Sequence, residues 1–156
     1  MEYRKPERTA IKAWRLTRLI LLLILALAFI IDLVCYIIIG RTDVLLVVTI
    51  GLGLMTAYKL VGLFIYPIIE YKQWKYLMSD EKLEIVHGIF FITRDIIPVI
   101  RIQNITVKQG PIYRRYDLHT VEIALASGKF EIVGLSRETA DEIAEALRQK
   151  LYTRLE

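Results

Sequence analysis

The chain has 156 residues, 55% of them hydrophobic and 24% charged, with a formal net charge of +4 and a single cysteine, Cys35. A lone cysteine excludes an intrachain disulfide framework, and no thiol or histidine lies near it at metal-ligand spacing. The positive charge does not point to nucleic acid. It is confined to Met1–Arg18, where six basic residues face two acidic ones, whereas Glu70–Glu156 balances 13 basic with 13 acidic residues.

Residues 1–18 therefore read as a basic cytoplasmic tail. As a juxtamembrane collar it suits anionic headgroups at roughly 1 kcal/mol per well-placed basic residue, or it serves only to fix topology. Next comes an apolar run, Leu19–Ile39, of 21 residues with one charge, Asp32. As a helix it extends about 31 Å, enough to cross a hydrocarbon core of about 30 Å. The link Gly40-Arg41-Thr42-Asp43 leads into a second run, Val44 to about Ile69, with one charge, Lys59. Backbone amides in lipid must be satisfied within the segment, so both runs are predicted to be helices, and so short a link makes them antiparallel neighbours. A cleaved signal peptide fits poorly, because the first run exceeds an h-region of about 7–15 residues and a second span follows directly. The basic tail, together with Lys72 and Lys75 after the second run, predicts that both termini are cytoplasmic. The expected domains are thus the tail, a two-helix transmembrane hairpin over 19–69, and a cytoplasmic domain over 70–156.

Charges in lipid are functional candidates by default. Asp32 and Lys59 differ in depth by about 12 Å, and the lysine snorkels away from the acid, which argues against a direct pair. Asp32 is expected to be protonated, hydrogen-bonded to a neighbouring helix, or turned into a partner. Thr49, Gly53 and Ala57 recur at every fourth position on the second helix, forming a small-residue stripe against which another helix packs closely.

Past the membrane the pattern changes to alternation, the mark of half-buried strands. Strands are predicted at Lys75–Met78, Leu83–His87, Ile89–Thr93, around Ile100–Val107, at Ile112–Arg115, at Thr120–Ala126 and at Phe130–Val133. Turns fall at His87-Gly88, at Gly110-Pro111 and at the two residues Ser127-Gly128. Pro98 is confined to an edge or a strand start, because it lacks an amide donor. The chain closes with a helix from Arg137 to about Leu155. Ser136 is its N-cap, acids fill its first turns and bases its last, and Ala140, Ile143, Ala144, Leu147 and Leu151 form one apolar stripe. The expected fold is a two-helix transmembrane hairpin followed by a mainly-β, PH-like domain of about seven antiparallel strands capped by one C-terminal helix.

One ordered set of motifs runs through nearly the whole chain. It comprises Lys12-Ala-Trp-Arg15, Tyr71-Lys-Gln-Trp-Lys-Tyr76, Gly88, Ile97-Pro-Val-Ile-Arg-Ile-Gln103, Gln109-Gly-Pro111 and Gly134-Leu135. The set resembles the bacterial PH domain membrane proteins of the YdbS type. Where such proteins usually carry Gly-Leu, this chain has Asp117-Leu118. The resemblance implies a membrane-anchored, non-enzymatic module that works with a larger membrane partner carrying several domains of the same kind, linked in some bacteria to antimicrobial-peptide resistance.

Arg101 and Gln103 alternate with Ile100 and Ile102, while Gln109 and the pair Arg114-Arg115 flank the next turn. Either Arg101 pairs with Asp95 or Glu122 and the glutamines satisfy loop amides, or these residues form a contact surface for a partner or a lipid headgroup, with arginine forks for carboxylate or phosphate. Trp14, Tyr71, Trp74 and Tyr76 read as interfacial anchors or as ordinary packing. His87 and His119 have no carboxylate or thiol at ligand spacing, and the sequence contains neither a Gly-rich phosphate loop nor a Gly-x-Ser-x-Gly elbow. No cofactor, metal or enzyme activity is expected. The expected role is an adaptor or scaffold subunit in envelope-stress or antimicrobial-peptide resistance, assembling with the larger partner or with itself. The alternatives are a phospholipid-headgroup module or an accessory subunit of a lipid or peptide transport complex.

Overall fold

A computed structural model of the chain describes residues 3–40 and 42–153. Two long helices, α1 (Ala10–Ile39) and α2 (Asp43–Gln73), precede six strands: β1 (Lys75–Met78), β2 (Lys82–His87), β3 (Thr93–Pro98), β4 (Ile102–Lys108), β5 (His119–Leu125) and β6 (Gly128–Leu135). A short helix α3 (Pro111–Arg115) lies between β4 and β5, and α4 (Arg137–Thr153) closes the chain. The predicted end of α4 near Leu155 falls outside the described residues. Contacts divide the chain into a helical hairpin, Trp14–Pro67, and a β-rich lobe. The lobe takes in the chain from Ile68 onward together with the tail up to Ala13.

In the hairpin both helices are long and apolar enough to cross a membrane, and each outruns its apolar stretch. α1 begins nine positions before Leu19, because Ala10–Arg18 contains good helix formers and no breaker. The chain reverses at Gly40, whose φ of +121° is a conformation that side chains rarely tolerate. Against α1, Thr49 Oγ1 donates to Asp32 Oδ2 at 2.5 Å. A methyl at Gly53 would stand 3.4 Å from the Phe29 ring. The small-residue stripe therefore meets the chain's own first helix through Thr49 and Gly53, while Ala57 is exposed. The outward side chains are nearly all apolar, among them Leu21, Ile24, Val47 and Phe64, as expected of surfaces that face lipid.

The lobe consists of two three-stranded antiparallel sheets, β1-β2-β3 and β4-β5-β6, with α4 packed over β4 and β5. Leu83, Ile85, Ile97, Val99, Leu118, Val121, Ile123, Ile132, Leu135, Ile143 and Leu147 are fully buried. Each such aliphatic side chain contributes about 1.5–3 kcal/mol of apolar burial. The stripe on α4 supplies Ile143 and Leu147. Its first turn is capped as the sequence predicts, by Ser136 Oγ accepting from the Thr139 amide at 3.3 Å.

Among the described residues six strands stand where about seven were expected. Ile89–Thr93 is not a strand: β3 begins only at Thr93, and residues 88–92 form the hairpin loop. Gly88, at φ +130°, approaches the Phe91 carbonyl so closely that any side chain at 88 would collide with it. The apolar run is thereby folded back on itself and cannot extend. Ile112–Arg115 is helical because Pro111 presets the first turn and the Arg114 amide donates to the Gly110 carbonyl at 2.8 Å. Pro98 does lie on an edge strand, as the last residue of β3. Val99–Arg101 is a 3-10 turn, so Arg101 and Gln103 do not alternate along one strand. The β5–β6 turn is Ala126-Ser127, since Leu125 pairs with Gly128.

Two bulges shape the second sheet. On β4, Gln103 is the extra residue between the pairs Ile102–Leu125 and Asn104–Ala124. On β6, the register gains a residue between the partners of Val121 and His119, where Gly134 adopts φ +71°. The tail docks on this second bulge. The Glu7 amide donates to the Gly134 carbonyl at 2.8 Å, and a methyl on Gly134 would lie 2.7 Å from the Ala10 Cβ. Farther along, Arg4 and Tyr76 form an antiparallel bridge that covers the outer edge of β1.

Candidate functional site

A cleft of about 380 Å³ opens in the lobe between Trp74, β2–β3 and the first half of β6. Its polar rim is His87, Asp95, Lys129 and Glu131, and its apolar wall includes Ile85, Phe130 and Val133. The β2–β3 register opposes Ile85 to Asp95 and His87 to Thr93, so His87 and Asp95 are diagonal neighbours on one face. His87 Nε2 lies 2.9 Å from Asp95 Oδ2, and the Trp74 ring stacks on the imidazole at 5.7 Å between centroids. The cleft offers an aromatic wall, a histidine held by a carboxylate, and a cation beside an anion, a set suited to holding a small polar group. Its lining residues include no serine, threonine or cysteine to act as a nucleophile.

On the opposite face of β2 a buried carboxylate organises the first sheet. Glu84 is 1% exposed and accepts hydrogen bonds from Tyr3 at 2.9 Å, from Lys82 at 2.7 Å and from Arg94. These donors, Lys82 foremost, hold its carboxyl down at about 2. The same hydrogen bond raises the Tyr3 phenol above its ordinary value. Glu122, between Lys108 and Lys129, is lowered in the same way.

The residues singled out from sequence fall into separate places. Arg101 is exposed, and neither expected acid receives it, since Asp95 is held by His87 and Glu122 by Lys108 and Lys129. Gln103 projects from the bulge at the start of β4, whereas half-buried Gln109 and exposed Arg114 and Arg115 follow its other end. A seven-residue strand spans about 23 Å, so these five residues make two patches. Of the expected anchors, Trp74 and Tyr76 pack inside the lobe and Trp14 is also buried, as the alternative of ordinary packing has it. Tyr71 is half-buried.

The hairpin has a cavity of its own, about 470 Å³, walled by apolar residues such as Leu21, Ile24, Ala28 and Met55 and carrying Arg18, Lys59 and Tyr66. The Arg18 guanidinium sits 5.6 Å above the Tyr66 ring, and the Tyr66 hydroxyl donates to the Tyr58 hydroxyl at 2.6 Å. Two cations thus line a space whose remaining surface is largely hydrocarbon.

Residues 16–151 match the family described as Bacterial PH domain. The chain belongs to the bacterial PH domain family. A curated relative, the UPF0699 transmembrane protein YdbS of Bacillus subtilis (strain 168), is 35% identical over 89 residues, covering 57% of this chain and 56% of the relative. The chain therefore spans a little over half the length of that relative. No solved structure matches. A transmembrane relative and two helices of spanning length make this bacterial PH domain chain a membrane protein.

Sequence reasoning missed the cleft. His87 and Asp95 lie eight positions apart, a spacing without meaning until the hairpin loop is known to hold five residues. His119, the other histidine, opens β5 opposite Leu135.

Proposed function

We propose that this bacterial PH domain protein is a non-catalytic, membrane-anchored adaptor, with both termini in the cytoplasm, that assembles with a larger membrane protein carrying domains of the same kind. The setting we propose is envelope-stress or antimicrobial-peptide resistance. The observation that carries the reading is the outer edge of the second sheet. Among the described residues β4 has a strand partner on one side only, and open edges are where another chain's backbone adds. Gln103 and Arg101 sit at one end of that edge, with Arg114 and Arg115 beyond the other. Copurification from native membranes in mild detergent tests this. Wild type should bring down a stoichiometric partner, and Arg101→Glu with Asn104→Pro, which disrupts the edge, should lose it. A monomeric wild type with no partner defeats the adaptor reading.

A second reading, phospholipid binding, is favoured by the hairpin cavity, where Arg18 and Lys59 offer charge to a phosphate above walls that fit acyl chain. Native mass spectrometry of the detergent-solubilised protein should find anionic lipid retained by wild type and lost from Lys59→Leu. Equal retention by both counts against it.

A further inference from the structure

The hairpin loop between β2 and β3 is the most apolar exposed segment of the lobe. Phe90 is 75% exposed, Phe91 89% and Ile92 63%. Exposure of that kind is uncommon in a folded domain and marks a surface meant to be covered. The loop is also built rather than slack, because Gly88 at φ +130° allows the backbone to close against Phe91.

The strand register decides which end of the sheet carries this loop. β1 starts at Lys75, one residue after α2 ends. Lys75 pairs with Val86, and Trp74 stacks on His87. Residues 88–92 therefore leave the sheet at the end where the chain arrives from the spanning helix. Lys72, exposed in the last turn of α2, adds a cation at the same end, of the kind that anionic headgroups attract. We propose that Phe90, Phe91 and Ile92 enter the boundary between headgroups and acyl chains of the membrane that the hairpin spans, giving the lobe a third attachment to lipid. Insertion at that boundary reaches about 5–10 Å. The inference stands independently of the adaptor reading, since it needs no protein partner.

The chain's single cysteine makes the test direct. In a Cys35→Ser background, Phe91→Cys and, separately, Asp141→Cys on exposed α4 are labelled with an environment-sensitive fluorophore. The full chain is then reconstituted into vesicles of phosphatidylcholine and phosphatidylglycerol. The label at 91 should emit to the blue of the label at 141 and lose intensity to lipids bearing a nitroxide near the glycerol end of the acyl chain, more than to lipids bearing it near the methyl end. Emission at 91 equal to that at 141 overturns the proposal. So does a blue-shifted label that neither nitroxide lipid quenches, which would assign the loop to a protein contact.

Discussion

The main chains of Arg4 and Tyr76 bond each other in both directions, at 2.8 Å from the Arg4 amide and 2.9 Å from the Tyr76 amide. The segment leading into α1 is thereby fixed to the strand that follows α2. Around this bridge Tyr3 reaches Glu84, the Lys75 ammonium lies 4.6 Å from the Tyr3 ring centroid, and Arg4 approaches Glu142 at 3.8 Å.

Acid should loosen this arrangement in a defined window. Glu84 is held at about 2 against an ordinary 4.5. A carboxyl lowered by folding contributes stability that is fully present above its unfolded value and disappears as pH falls toward its folded one. The melting temperature of the purified protein should hold from neutrality to about pH 5 and fall from there toward pH 2. Glu84→Gln should melt lower at pH 7 and show a shallower acid limb, Glu122 supplying the remainder. Parallel acid limbs in the two proteins would contradict this account.

Gly134→Ala should cost about 1–3 kcal/mol, since the new methyl meets Ala10 and the backbone is left-handed there. Because Ala10 belongs to the docked tail, limited proteolysis should also cut near Arg8 faster than in wild type. A loss of stability without faster cleavage would mean that the strain is absorbed in β6 and the tail stays bound.

Asp117 is the one described residue other than glycine with positive φ, at +51°. Aspartate tolerates this region better than most residues. Asp117→Gly should be neutral or stabilising by up to about 1 kcal/mol, and Asp117→Val destabilising by about 1–2 kcal/mol. Thermal melts of the two variants, run side by side, give the order.

In the hairpin, Thr49→Val removes the hydroxyl that meets Asp32, and polar contacts between membrane helices are worth about 0.6–1.7 kcal/mol. Unfolding by titrated dodecyl sulfate should shift by that amount. Gly53→Leu, which forces a branched chain against Phe29, should shift it further. An unchanged titration for both would detach the stripe from α1.

Much of the architecture is legible from residues alone, for reasons that differ by segment. Leu19–Ile39 and Val44–Ile69 announce themselves because lipid imposes a minimum apolar length. Helix α4 is equally plain, since its stripe, its cap and its charge placement agree. Ile89–Thr93 misleads because an apolar run looks the same in a buried strand and in an exposed loop, and only the collision at Gly88 separates them. Arg101 misleads because Pro98 sets off a 3-10 turn that shifts it out of the strand period. The partners of Arg4, His87 and Gly134 had no local signal at all, since each lies across a strand register that sequence spacing does not encode.

The contact of the tail with Tyr76 and Gly134 also constrains how the protein is made. Arg4, Glu7 and Ala10 precede both long helices in the chain but find their seat only after β6 has been synthesised. A segment bonded to the lobe shares its compartment, so reporters fused ahead of Arg4 and after α4 should sense the same side.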